Sequence, residues 1–268
     1  MQDTAVSTET AAARMWGLGG RHYDDVSFAI SDALAHAAQR LAPKPGESIL
    51  DVATGTGWTA RNCAHAGARL TGVDFSSSLL DAARELSAHV DPPIRFELAD
   101  AEALPFADAA FDGVISTFGV MFAADQKKAA AELARVCRPG GRLALATWVP
   151  GGAVEAFFGV VGKYADAPPP GPSPFAWGTP ETVHDLLGED FDLTFERGTN
   201  NAYHESAQQI WDWYSRGFGP VRALADSLDA EAREAFRRDV DAYHEHYVTD
   251  AGLLHVKREY LVTIGRRR

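Results

Sequence analysis

The chain has 268 residues, 46% of them apolar, enough for one large α/β domain and against global disorder. Its formal net charge of −12 argues against a nucleic-acid substrate, because Arg237 and Arg238 sit among acids and the one basic run is the tail Arg266-Arg267-Arg268. Met1 to Ala13 holds no apolar signal-like stretch, no run approaches a membrane span, and Cys63 and Cys137 have no zinc spacing, so a soluble cytoplasmic protein with buried thiols in helices and no metal is expected.

Residues 1–15 read as a polar, mobile lead. From 27 to 41 the spacing of Phe28, Ala33, Leu34, Ala37, Ala38 and Leu41 predicts a helix, ended by Pro43 and Pro45. Strands and helices then alternate. SILDVA (48–53) is a strand, WTARNCAHAG (58–67) a helix closing on Gly67, and RLTGVD (69–74) a strand. Ser76 reads as the N-cap of the helix that follows. IRFELAD (94–100) and FDGVIST (111–117) are strands three and four; KKAAAELARVC (127–137) is a helix, and RLALATW (142–148) is strand five. This rhythm predicts a parallel sheet with helices on both faces.

The second half departs from it. Residues 150–180, with Pro168-Pro169-Pro170-Gly171-Pro172, read as a flexible loop with a helical piece at 155–164. PETVHDLLG (180–188) is a helix with Pro180 at its first position, FDLTFERGT (191–199) a sixth strand, and residues 206–248 are helical. Phe236, Val240, Tyr243 and Tyr247 share one helix face, and REYLVTIGRR (258–267) alternates as a final strand. The long connection between the last two strands predicts a cap.

Ile49 to Trp58 runs from strand to glycine turn to helix. Gly55 and Gly57 let a ligand lie against main-chain N–H groups, and the helix N-terminus favours a negative group. Asp74 ends the next strand, where a carboxylate accepts from ribose hydroxyls. Gly55-Thr56-Gly57-Trp58-Thr59-Ala60 also fits a dinucleotide turn, or a plain tight turn. Asp51, before the turn, would repel a pyrophosphate yet suits an ammonium or a fixed water, and Asp100-Ala101-Glu102 can meet an adenine edge.

At this point ILDVATGTG, LTGVDFSSSLLDAAR, LADAEALPFADAAFDGV and RVCRPGGRLAL, in order over residues 45–148, resemble the class I S-adenosylmethionine (SAM) methyltransferases, in the branch of ubiquinone and menaquinone biosynthesis. The resemblance implies SAM as cofactor and S-adenosylhomocysteine as product. Asp51, Ala53, Thr54 and Gly55 to Gly57 would surround the methionine moiety, Asp74 the ribose, Phe75 the adenine face, and Asp100, Ala101 and Glu102 the adenine edge, with Thr117 nearby. Ala53 departs from the family's usual glycine.

The expected fold class is α/β: a Rossmann-like doubly wound sheet, mostly parallel with an antiparallel last strand, plus a helical cap inserted between the last two strands. The expected segments are 1–44 (N-terminal helical), 45–199 (SAM-binding core), 200–252 (lid) and 253–268 (final strand).

Acceptors lie beyond the strand ends. Phe118, Phe122, Trp148, Tyr203, Trp211 and Tyr214, with Tyr23 closing the pocket, make an aromatic wall suited to a small, largely apolar or aromatic molecule. His22, Tyr23 and His204 are candidate bases, with His244 and His246 as rivals, but methyl transfer rests largely on positioning and no base is assigned. His244 and His246 diverge on a helix and make no metal pair. The alternatives are a SAM-supported reaction without methylation, such as cyclisation, a non-enzymatic SAM-binding module, and a dehydrogenase.

Overall fold

The computed structural model describes residues 9–167 and 171–268. Three helices precede the sheet: Ala11–Gly17 (α1), Tyr23–Phe28 (α2) and Ser31–Leu41 (α3). The helix expected over 27–41 is therefore broken. The chain bends at Ala29 and Ile30, and the side chain of Asn200 donates to the Ala29 carbonyl at 3.0 Å, a long-range contact no local pattern reveals. The lead is partly helical rather than loose, and residues 1–8 lie outside the described part.

The alternating half runs Ser48–Val52 (β1), Trp58–Ala64 (α4), Arg69–Asp74 (β2), Ser77–Leu86 (α5), Arg95–Leu98 (β3), Phe111–Thr117 (β4), Gln126–Val136 (α6) and Cys137–Trp148 (β5). Cys137 opens β5 rather than ending a helix; both thiols are buried. Ser76 holds the N-cap position, but its hydroxyl meets Ser78 at 3.3 Å and makes no cap bond. The second half adds Ala153–Gly162 (α7), Pro180–Leu187 (α8), Phe191–His204 (β6), Ala207–Gly217 (α9), Gly219–Ser227 (α10), Ala230–Glu245 (α11) and Leu254–Arg267 (β7). The proline run 168–170 lies outside the described residues.

The sheet has seven strands in the order β3-β2-β1-β4-β5-β7-β6. β1 to β5 are parallel, and β7 runs antiparallel to both β5 and β6. Strand order reverses between β1 and β4, so their carboxyl ends open a crevice there. Ile49, Leu50, Val114, Ile115, Leu143 and Leu145 are fully buried, as expected of central strands covered on both faces.

α9, α10 and α11 fill the connection between β6 and β7 and pack on their own core of Ile210, Trp211, Phe236 and Val240, joined by Phe157 of α7. Cap and N-terminal segment touch: Arg222 donates to the Leu18 carbonyl at 2.7 Å, and Trp16 meets Phe218 edge-on at 5.8 Å. No helix among the described residues is long and apolar enough to cross a membrane.

Candidate active site

After β1 the backbone passes through left-handed geometry at Ala53, Gly55 and Gly57 (φ 55°, 56° and 85°) before α4 begins. For the two glycines this is free; for Ala53 it is strained, at roughly 1–2 kcal/mol. The Ala53 methyl also fills the space a side chain at position 119 would need, since a Cβ built on Gly119 falls 2.4 Å from it.

Asp51 is fully buried beneath this turn. Its Oδ2 accepts from the Thr54 hydroxyl at 2.6 Å, and its Oδ1 has no partner among the described residues. Asp74, at the end of β2, accepts from the Gly55 N–H at 2.9 Å and the Ser76 N–H at 3.0 Å. Burial pushes Asp51 up to about 7 and Asp74 up to about 6, the hydrogen bonds to each only partly offsetting it.

A cavity opens above the turn, lined by Tyr23, Ala53, Thr54, Gly55, Asp74 and Phe75, and by Thr117 to Gly119 from the end of β4. The Thr117 hydroxyl is 2.7 Å from that of Thr59. Tyr23 lies over the turn, 3.4 Å from where a Gly55 Cβ would stand, and burial with the nearby Asp74 charge keeps its phenol protonated. Gly57 faces Phe96 instead, and with Asp51 it supports the turn from below. Asp100, Ala101 and Glu102 do not line the cavity. Asp100 accepts from the Glu102 N–H at 2.9 Å within the turn, and Glu102 accepts from the Asp125 N–H at 2.8 Å, which ties the turn to the start of α6.

A second cavity adjoins the first and shares Trp16, Tyr23, Ile30, Phe118 and Phe122 with it. Phe118, itself at φ 55°, stacks on Trp148 at 3.9 Å. Tyr214 completes the expected wall from the cap. Two other expected wall residues lie elsewhere. Tyr203 is 64% exposed and stacked on His255, because alternate residues of β6 face opposite sides. Trp211 packs inside the cap against Phe236 at 5.4 Å.

The candidate bases divide similarly. His22 is exposed, 4.0 Å from Asp25. His204 packs against Trp213 and does not line either cavity. His246 is exposed. His244, a rival in the sequence, does line the second cavity; its Nδ1 donates to the Val240 carbonyl at 2.8 Å, which leaves the lone pair on Nε2. Burial pushes His244 down to about 4, and Arg258's charge adds to it.

Trp16, Phe157, Phe158, Phe218 and Arg258 also line this cavity and were not singled out in the sequence. A signal existed for Arg258. Carried back to Leu254, the alternation of β7 puts Arg258 on the apolar face with Leu254, Val256 and Tyr260.

A family described as "Methyltransferase domain" matches residues 50–145, the stretch that carries the glycine turn, Asp74 and Thr117. A Mycobacterium tuberculosis protein, itself uncharacterised, is 34% identical over 271 residues, covering 95% of this chain and 93% of that one. The chain belongs to the class I SAM-dependent methyltransferases. The methyltransferase is also 38% identical over 136 residues to a demethylmenaquinone methyltransferase of Corynebacterium kroppenstedtii, across 49% of this chain and 57% of that one. Its fold matches a Haemonchus contortus phosphoethanolamine N-methyltransferase in complex with S-adenosylhomocysteine, with TM-score 0.56, 18% identity and coverage of 88% of this chain and 52% of that one. The cofactor of this methyltransferase is SAM, and the first cavity fits it: a buried carboxylate oxygen without a partner lies below, a second carboxylate lines the cavity, and Gly55 leaves room beside it. The expected main-chain donors are taken within the turn, since the Gly55 N–H donates to Asp74 and the Gly57 N–H to the Thr54 carbonyl, both at 2.9 Å.

Proposed function

We propose that the enzyme transfers the SAM methyl to oxygen, nitrogen or carbon of a small, largely apolar or aromatic acceptor. The observation that carries this reading is the wall common to the two cavities: Trp16, Tyr23, Phe118 and Phe122 border both, so a molecule in the second cavity abuts one in the first. In this reading Asp74 accepts from the ribose hydroxyls, Phe75 lies beside the adenine, and Asp51, Ala53, Thr54, Gly55 and Gly57 form the bed of the methionine moiety. The adenine-edge role of Asp100, Ala101 and Glu102 rests on the family resemblance, with the Asp100 Oδ2 left to accept from the adenine amino group.

Bound SAM supplies an electrophilic methyl on a positively charged sulfur. The chain's own residues orient and enclose. Phe118 and Trp148 offer a stacked aromatic face against which a flat acceptor lies, and Tyr23 closes the glycine turn against water. His244 Nε2 accepts a hydrogen bond from an acceptor hydroxyl and so turns its oxygen toward the methyl. α9 to α11 serve as the lid.

Trp148→Ala tests the division of labour. S-adenosylhomocysteine affinity by calorimetry should stay within about twofold, while methyl transfer falls about tenfold or more, in line with the loss of a large aromatic contact. Equal loss of both, or undiminished transfer, would contradict the acceptor assignment.

A further inference from the structure

Arg258 is 7% exposed and sits in the first half of β7, on the face that also carries Leu254, Val256 and Tyr260. Its guanidinium makes one side-chain hydrogen bond among the described residues, a donation to the Tyr214 hydroxyl at 3.4 Å, and no carboxylate of those residues forms an ion pair with it. This is an expensive arrangement, since a buried cation normally carries a partner. No acid among the described residues lines the cavity, whose other residues are aromatic or aliphatic apart from His244, and burial disfavours the charged form of that imidazole. A structural arginine would have been given an acid, and the chain has 37 of them.

We propose that Arg258 is the binding site for a carboxylate on the acceptor, so that the substrate class is a small aromatic or polycyclic acid rather than a neutral apolar molecule. The planar guanidinium fork takes a carboxylate through two parallel N–H donations, and the Tyr214 hydroxyl beside it can add a third. The ring system of the acceptor then lies along Phe118, Phe122 and Trp148 toward the first cavity. Arg258 fixes which edge of the acceptor points away from the methyl, and is a specificity residue, not a catalytic one. The inference rests on the second cavity being the acceptor site.

The test uses the enzyme saturated with S-adenosylhomocysteine and paired ligands of equal size: 3-hydroxybenzoate against 3-hydroxybenzamide, and 3-hydroxy-2-naphthoate against its amide. Calorimetry at pH 8 should show each acid binding about tenfold or more tighter than its amide to the unaltered protein, the advantage of a charge-assisted pair over a neutral one. The preference should vanish in Arg258→Gln and be reduced in Arg258→Lys, which keeps the charge and loses the fork. Affinity for S-adenosylhomocysteine should be unchanged in both, and the unfolding temperature of Arg258→Gln no lower than that of the unaltered protein.

Acids that bind no tighter than amides, or a preference that survives Arg258→Gln, would overturn the proposal. Loss of S-adenosylhomocysteine affinity in a folded Arg258→Gln would assign the guanidinium to the cofactor's own carboxylate and overturn it equally. If Arg258→Gln does not fold, the comparison in the unaltered protein and in Arg258→Lys still decides. Amides binding as well as acids overturns the carboxylate site alone; binding by neither set overturns the aromatic-acceptor reading with it.

Discussion

Asp51 and Asp74 are two carboxylates held out of water around one turn, and the fold does not neutralise them itself. A carboxylate raised by burial is a cost to stability once it ionises. Between its ordinary value near 3.8 and its folded value near 7, Asp51 holds a proton longer in the folded chain than in the unfolded one. Its ionisation therefore lowers stability as pH rises through that window, and the full penalty stands above pH 7. Asp51→Asn should accordingly unfold at a higher temperature than the unaltered protein at pH 8, with the difference shrinking toward pH 4, while SAM binding weakens. Calorimetric unfolding of both proteins across that range checks it, and comparing the two cancels His204 and His244, whose lowered values act with the opposite sign. An Asp51→Asn that is less stable at every pH would show that the carboxylate is structural.

At the same scale lies the limit of what the sequence discloses. The positions of Asp51, Gly55, Asp74 and Thr117 at strand ends and a tight turn are legible because they are fixed locally, and the structure brings the last three to one cavity with Asp51 beneath the turn. Trp16 and Arg258 are not, because their place beside a cavity depends on which elements meet: Trp16 stands just beyond a polar lead, and Arg258 stands in a strand that begins at Leu254, four residues before its alternating pattern. Tyr203 and Trp211 show the converse. Being aromatic and near a strand end was enough to suggest a wall, but strand alternation and cap packing turn them away from it.

Among the elements, the βαβ half follows its sequence pattern nearly strand for strand, since alternation of buried runs with amphipathic helices is a local signal. β6 and β7 are both longer than their patterns, reaching fourteen residues each. Their extra ends pair with each other beyond the sheet proper, Asn200↔Arg258 to His204↔Leu254, and carry the cap outward. The cap helices share a core with Phe157 and Val160 of α7 and with Ala202, Leu254 and Val256 of those strand ends. If α9 to α11 act as the lid, their amides should exchange quickly in the ligand-free protein and at least several-fold more slowly with S-adenosylhomocysteine and acceptor both bound. Hydrogen exchange read by mass spectrometry gives the answer, and equal protection in both states would make the cap a fixed subdomain.

For the molecule as a whole, an excess of acids over bases, net −12, sets a field that repels long polyanions while leaving a single small acid to the local pull of Arg258. Two adjoining cavities stand at a strand-order reversal, one lined by Asp74 and Gly55, the other largely aromatic, and the proposed function reads them as cofactor and acceptor sites. The most direct test of that account is methyl incorporation from labelled SAM, with S-adenosylhomocysteine release followed in parallel, across tRNA, DNA, protein and a panel of small aromatic molecules. The account predicts label in one or more small molecules with matching S-adenosylhomocysteine, and none in the polymers. Label in tRNA or DNA with every small molecule refused, or a converted small molecule that gains no methyl, would contradict it.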